Sequence, residues 1–195
     1  MKLTTSRRLL MSQVDCQKWA RVILPVRDSD LKEKLQDRFS VTLGSADGQE
    51  NQDLFDRATK ELFAYHIYPP WRMRPTLCGS QGRIAKDGLI VQRILLGPLG
   101  VETAVRVVDV FDVEDKEKRS VGFIYATLPG HPERGEAKFK VSRYRSSGQV
   151  TFTIETCSSP GNWLSALVRP LTHFLQKRSN HEALVYFKRL VTNKV

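Results

Sequence analysis

Between Gly88 and Glu155 the chain is a succession of short β runs separated by turns, and this pattern limits the fold more than any other feature. Gly88–Leu96 is rich in branched and aliphatic residues. Pro98 and Gly100 turn it into a longer run, Val101–Phe111, and the charged stretch Asp112–Arg119 leads on to Val121–Thr127. Further on, Ala137, Phe139 and Val141 alternate with Lys138, Lys140 and Ser142. After Ser146–Ser147–Gly148, Val150, Phe152 and Ile154 alternate with Thr151, Thr153 and Glu155. A period of two sends the apolar set to one face of a strand. Connections this short join antiparallel neighbours, because a parallel pair needs a crossover of a dozen or more residues. The expectation is an antiparallel sheet of five or six strands with one apolar face that must be covered.

Helices are the available cover. Asp28–Ser29–Asp30 can cap a short helix through Phe39, with Leu31, Leu35 and Phe39 at fourfold spacing. After a polar loop, Gly44–Asn51, either Asn51 or Asp53 caps a second helix. Its apolar face holds Leu54, Phe55, Ala58, Leu62 and Phe63, and Tyr68–Pro69–Pro70 ends it. Beyond Gly161 the period is helical again. Leu164, Leu167, Val168, Leu171, Phe174 and Leu175 form a stripe that Leu184, Phe187, Leu190 and Val191 continue. Pro170 kinks this segment or starts a second helix in it. The reading is an α+β protein whose sheet is covered by N-terminal helices and a long C-terminal helix. That element order is like the helix-grip architecture of the START and Bet v 1 proteins. Residues 1–20 read as an N-terminal extension and 21–195 as a single domain, which suits 195 residues.

The formal net charge is +10, with no block of five or six basic residues. A basic balance points to nucleic acid or an anionic membrane as partners, or to a solvated surface. No apolar run approaches the roughly 18 to 20 residues that span a bilayer. Cys16, Cys78 and Cys157 are widely spaced and odd in number, which suits reduced thiols in an intracellular protein. The start of the chain lacks the apolar core of a secretory signal and has no acidic residue before Asp15. A cytoplasmic address is expected, with an organellar one as the alternative.

The stretch Gly122–Phe139, GFIYATLPGHPERGEAKF, is the most particular local sequence. Pro129 fixes one backbone angle, Gly130 permits a positive φ, and Pro132 holds His131 extended. The expectation is a hairpin from Val121 to Val141 with the loop Pro129–Gly135 and a left-handed Gly130. This stretch resembles the signature of an uncharacterised family, domain of unknown function nineteen-ninety (uncharacterised protein family five-four-eight). There a Tyr-Gly-Thr-Leu-Pro-Gly-His-Pro run leads into Gly-Glu-Glu and a Phe. Cys157–Gln176 is a second similar part, with Ser159–Pro160, Arg169–Pro170 and Gln176 in the family's order, and the resemblance covers roughly Val22 to Val191. Ala126 replaces the usual glycine, Ala137 replaces the second Glu, and Ser158–Ser159–Pro160 stands where Ser-Arg-Pro is common, so that arginine is missing. The family has no established activity, so the resemblance implies none.

His131 is the strongest chemical candidate, because imidazole titrates near neutrality and serves as acid, base or ligand. Glu133 and Glu136 can orient it; equally, the turn can be purely structural. Zinc wants three or four ligands rich in Cys or His, and one His among carboxylates does not supply them. No phosphate-binding glycine loop and no GxSxG elbow is present, and Ser158 and Ser159 precede a Pro-Gly turn. Arg169, His173 and Gln176 recur about a turn apart on the C-terminal helix. Tyr65, Tyr68 and Trp71 beside Arg72 and Arg74 either close the mouth of the core or stack on an aromatic ligand. The leading reading is a binding protein for a small hydrophobic or amphipathic ligand, with Tyr125, Thr127, His131, Arg169 and His173 as contacts. No metal and no cofactor is expected. One alternative is nucleic-acid or anionic-membrane association through the basic surface. The other is a hydrolase or isomerase using His131 with Glu133 or Glu136.

Overall fold

A computed structural model describes residues 3–24, 35–45, 48–79, 81–131, 133–160 and 169–193. Side chains are described for all of these except Leu3, Leu35, Glu133, 158–160 and 169–177. The strands are β1 Leu3–Thr5, β2 Leu35–Ser45, β3 Met73–Cys78, β4 Leu89–Leu96, β5 Leu99–Glu114, β6 Lys118–Thr127, β7 Glu133–Tyr144 and β8 Gln149–Pro160. The helices are α1 Ser6–Met11, α2 Cys16–Ala20, α3 Gly48–Phe63 and α4 Arg169–Thr192. The strands form one eight-stranded antiparallel sheet in the order β2-β8-β7-β6-β5-β4-β3, with β1 paired to β5.

The inner face follows the alternation in the sequence. Val121, Phe123 and Tyr125 of β6, Phe139 and Val141 of β7, and Val150, Phe152 and Ile154 of β8 are all buried in one core. Leu54, Phe55, Ala58 and Leu62 of α3 and Ala183, Leu184, Phe187 and Val191 of α4 cover them. Phe123 and Phe139 stack at 5.2 Å, and Phe152 meets Phe187 at 4.2 Å. Gly122 sits on the opposite face under Phe111, its partner across the β5–β6 ladder. A Cβ there would lie 2.1 Å from the Phe139 carbonyl oxygen and 2.8 Å from the Phe111 ring, so the ring fills the place of a side chain.

The outer face is covered only in part. Leu89 and Val91 of β4, Ala104 of β5 and Leu128 form a small second core beneath Trp19 of α2, with Val14, Val22 and Leu24 at its edge. Segment 3–20, which reads as an extension in the sequence, thus lies docked on the sheet. Arg93 Nη2 donates to the Ser12 carbonyl at 2.8 Å, and Arg93 Nε and Trp19 Nε1 both donate to the Glu102 carboxylate at 3.2 Å. Cys16 and Cys78 are joined by a disulfide, with Cα atoms 5.8 Å apart, so the expectation of three reduced thiols is overturned and only Cys157 is free. The fold brings together two cysteines 62 residues apart, a pairing that spacing along the chain does not reveal.

Four local expectations need correction. The helix expected to end at Phe39 gives way to strand from Leu35, because Phe39, Val41 and Leu43 pack against the core at period two and β2 pairs with β8; its proposed cap, Asp28–Ser29–Asp30, lies outside the described residues. Helix α3 begins at Gly48, so Asn51 is no cap; it is buried within the helix, and its amide donates to the Gly148 carbonyl. The same helix ends at Phe63 rather than at the prolines: Tyr65 turns left-handed, with φ 59°, and its buried ring packs against Phe123 and Phe139. The hairpin loop is shorter than Pro129–Gly135, since β7 already starts at Glu133. Gly130 does have positive φ, 92°. Pro170 falls in the first turn of α4, and the stripe of Leu164, Leu167 and Val168 lies outside the described residues.

Candidate functional site

Polar side chains from β4, β5, β6, α4 and the segment after α3 lie at the inner face. Tyr65, just past α3, accepts a 2.7 Å hydrogen bond from the Gln92 amide of β4 and is hydrogen-bonded to Tyr125 of β6. Burial pushes the Tyr65 phenol well above its usual pKa, and the neighbouring Tyr125 and Tyr68 push the same way, so it stays neutral and able to donate. Tyr68 donates to Asn180 Oδ1 of α4 at 3.2 Å. Thr103 of β5 lies directly across the ladder from Gln92. Asn180 is 3% exposed and Thr103 fully buried, yet among the described residues Asn180 Nδ2 and Thr103 Oγ1, like Thr59 Oγ1 on α3, have no hydrogen-bond partner. Phe123 and Phe139 form the aromatic wall beside Tyr65 and Tyr125. Buried donors and hydroxyls are nearly always satisfied, so two unmet ones beside a chain of phenols point to a place for another molecule.

An open groove of about 490 Å³ lies at the other face of the sheet. It is lined by Gln36, Arg38, Glu136, Lys138, Glu155 and Cys157, among others. Lys140 Nζ meets Glu155 Oε1 at 2.8 Å, and Arg38 Nε approaches it at 3.6 Å. Burial opposes ionisation of Glu155, but the Lys140 hydrogen bond and the charges of Lys140, Lys138 and Arg38 together hold its carboxyl below the usual value. Mutual neutralisation of this kind leaves little net charge to select a ligand.

The residues singled out in the sequence fall in separate places. Tyr125 belongs to the inner cluster. Thr127 accepts from the Gly135 amide at 3.0 Å and donates to the Gly135 carbonyl at 3.3 Å, clasping the base of the signature hairpin. His131 is half-buried in the turn, and its backbone N–H donates to the Leu128 carbonyl at 3.1 Å. Glu136 lies about 10 Å along the strand from Glu133 and lines the outer groove, not the turn. Arg169 and His173 are in the first turns of α4, and their side chains, like that of Glu133, lie outside the described residues. Gln92, Thr103 and Asn180 are absent from the residues that sequence reasoning singles out. The one available signal is a polar residue following an apolar run, as at Gln92 after Leu89–Ile90–Val91. Among the described residues no group of three or more His, Cys, Asp or Glu is placed to hold a metal ion.

The model of the family described as Domain of unknown function (DUF1990) matches residues 33–185. The chain belongs to this family. A protein of Deinococcus radiodurans named UPF0548 protein is 29% identical over 138 residues, covering 66% of this chain and 67% of that one. A protein of the same name from Dictyostelium discoideum is 33% identical over 72 residues, a 33% share of each chain. Among solved structures, a hypothetical protein from Helicobacter pylori superposes with a TM-score of 0.55 at 8% identity, over 92% of this chain and 99% of that one. A protein from Thermus thermophilus gives 0.52 at 12% identity, over 80% and 97%. Ara h 8.0201 gives 0.51 at 7% identity, over 83% and 100%. At such identities the likeness is one of fold, the helix grip. Among the described residues no helix is long and apolar enough to cross a membrane.

Proposed function

We propose that this member of the family is a binding protein for a small amphipathic molecule held between the inner face of the sheet and α4. The observation that carries the reading is the pair of buried, unpartnered polar atoms, Asn180 Nδ2 and Thr103 Oγ1, beside the Gln92–Tyr65–Tyr125 chain. Small-molecule sites combine apolar and aromatic walls with a few placed polar groups, and Phe123, Phe139 and the phenols supply both. Arg169, His173 and His131 remain part of the proposal as further contacts near the start of α4 and at the signature turn. The Cys16–Cys78 bond weighs against a reducing compartment, and so against the cytoplasmic address of the two expected from the sequence.

Native mass spectrometry of the protein purified from its own source tests this reading. The expected result is a retained small molecule that is lost in Asn180→Leu while the variant stays folded. If wild type retains nothing and Asn180→Leu is merely more stable, the unmet amide is a packing defect and the reading fails.

A further inference from the structure

Three chain segments meet at one end of the sheet. The β4–β5 hairpin tip has Leu96 paired with Leu99 and turns through Gly97, whose φ is 65°. The segment leading into α1 is stitched to that tip: the Ser6 N–H donates to the Pro98 carbonyl and the Ser6 hydroxyl to the Gly97 carbonyl, both at 2.8 Å. The start of β3 joins from the other side, where the Leu95 N–H donates to the Arg72 carbonyl at 2.8 Å.

Exposed apolar side chains concentrate here. Trp71 is 67% exposed, Met11 77%, Leu96 38% and Leu99 41%. These are four of the eight large hydrophobic side chains exposed among the described residues, so the clustering is not a general property of the surface. Basic residues predominate at this end, with Glu102 and Glu182 held in ion pairs. Segments 3–12, 71–78 and 94–101 contain Arg7, Arg8, Arg72 and Arg74 and no Asp or Glu. Arg72 is held by Glu182, and the nearby Glu102 is bound by Arg93 and Trp19; Arg7, Arg8 and Arg74 are exposed.

We propose that this end of the sheet is a docking edge for an anionic phospholipid bilayer. An indole and aliphatic tips that enter the headgroup region, flanked by the exposed Arg7, Arg8 and Arg74, are the two components of interfacial binding. A nucleic-acid surface would gain nothing from Leu96 and Leu99 at a projecting tip. The proposal does not depend on the inner site.

Sedimentation with vesicles of phosphatidylcholine alone, and of phosphatidylcholine mixed with phosphatidylserine, tests it. The protein is expected to bind the mixed vesicles, to release them as salt rises, and to leave the neutral ones. Replacing Arg7 and Arg8 by Gln should weaken binding by about five-fold for each arginine. Leu96→Ser with Leu99→Ser should abolish it at unchanged melting temperature. Lys116→Gln, at the opposite end of the sheet, should change nothing. Equal loss in Lys116→Gln means diffuse charge attraction and overturns the assignment. So does wild-type-like binding by the arginine variant, equal binding to neutral vesicles, or binding to a short RNA with no vesicle binding.

Discussion

The two faces of the sheet are stabilised in different ways. On the inner face, β6, β7 and β8 carry rings, Phe123 directly opposite Phe139, and α3 and α4 close over them with apolar side chains. Apolar burial dominates that packing. Over β3–β5 the outer face carries a far smaller core, and its cover, segment 3–24, is held by a disulfide, by Arg93 and by the Glu102 carboxylate. That cover also lies outside the part of the chain that matches the family, whereas α3 and most of α4 lie inside it. A thin core needs covalent and polar fastenings where a thick one does not. The outer cover should therefore come away without the inner core, and the reverse should not occur.

The sharpest way to break this comparison is to remove a ring from the inner core. Phe139 is fully buried against Phe123, Tyr125 and Tyr65, and Phe139→Ala should cost about 3 to 5 kcal/mol. Urea unfolding should lose stability in one transition reported alike by every probe. A variant that loses only the order of segment 3–24 would reverse the roles assigned to the two faces. Replacing Cys16 and Cys78 by Ser should come next. Closing a 62-residue loop is worth about 4 kcal/mol to the unfolded-state entropy term, an upper figure if the cover opens locally. Amide exchange should then rise across α1 and α2 while β6 to β8 stay protected. Uniform loss of protection would mean that the two faces unfold as one.

The same contrast decides what is legible in the sequence. Strands β7 and β8 alternate in sequence, apolar residues facing the inner core and polar ones the other face, and the alternation marks them. Strand β2 is hidden by Leu31, Leu35 and Phe39, whose fourfold spacing imitates a helix, although Phe39, Val41 and Leu43 carry the period of two. Strand β3 contains Pro75, which an edge strand tolerates and an interior one does not. The largely apolar run of β4, interrupted at Gln92 and Arg93, is the sign of a strand covered on both faces, and hence of the outer cover. In the candidate site Tyr125 is visible as part of the signature. Gln92, Thr103 and Asn180 come together only through tertiary structure, and only Gln92, polar within an apolar strand, carries a local signal.

The signature turn joins the two faces, because Leu128 packs in the outer core while Tyr125, three residues earlier, faces inward. Gly130 lies between β6 and β7 at φ 92°, and a Cβ there would meet nothing within 4 Å. Gly130→Val should therefore act through backbone strain alone, costing about 1 to 3 kcal/mol. Gly130→Asn should recover part of that loss, since asparagine tolerates left-handed backbone better than a β-branched residue. Thermal unfolding of both variants checks this, and equal losses would place the cause in side-chain crowding instead.

The smallest effect concerns acid, which should loosen the inner cover. Glu182 of α4 receives Arg72 Nη2 at 2.8 Å and Arg178 Nε at 3.0 Å. The Arg72 hydrogen bond comes first among the causes that hold its carboxyl below the ordinary value, with burial opposing and Arg178 assisting. A carboxyl with a depressed pKa binds protons less readily folded than unfolded. Its contribution is therefore complete above the ordinary carboxylate range and disappears as pH falls through the lower folded value. The pair is part-exposed, so the contribution should stay below about 1 kcal/mol. Glu182→Gln should lower stability slightly at about pH 7 and narrow its difference from wild type at about pH 3, where Glu is protonated in the unfolded chain and increasingly so in the folded one. Chemical unfolding at the two values measures that difference. A gap that persists unchanged at low pH would assign the role of Glu182 to packing and would leave acid without leverage on the attachment of α4.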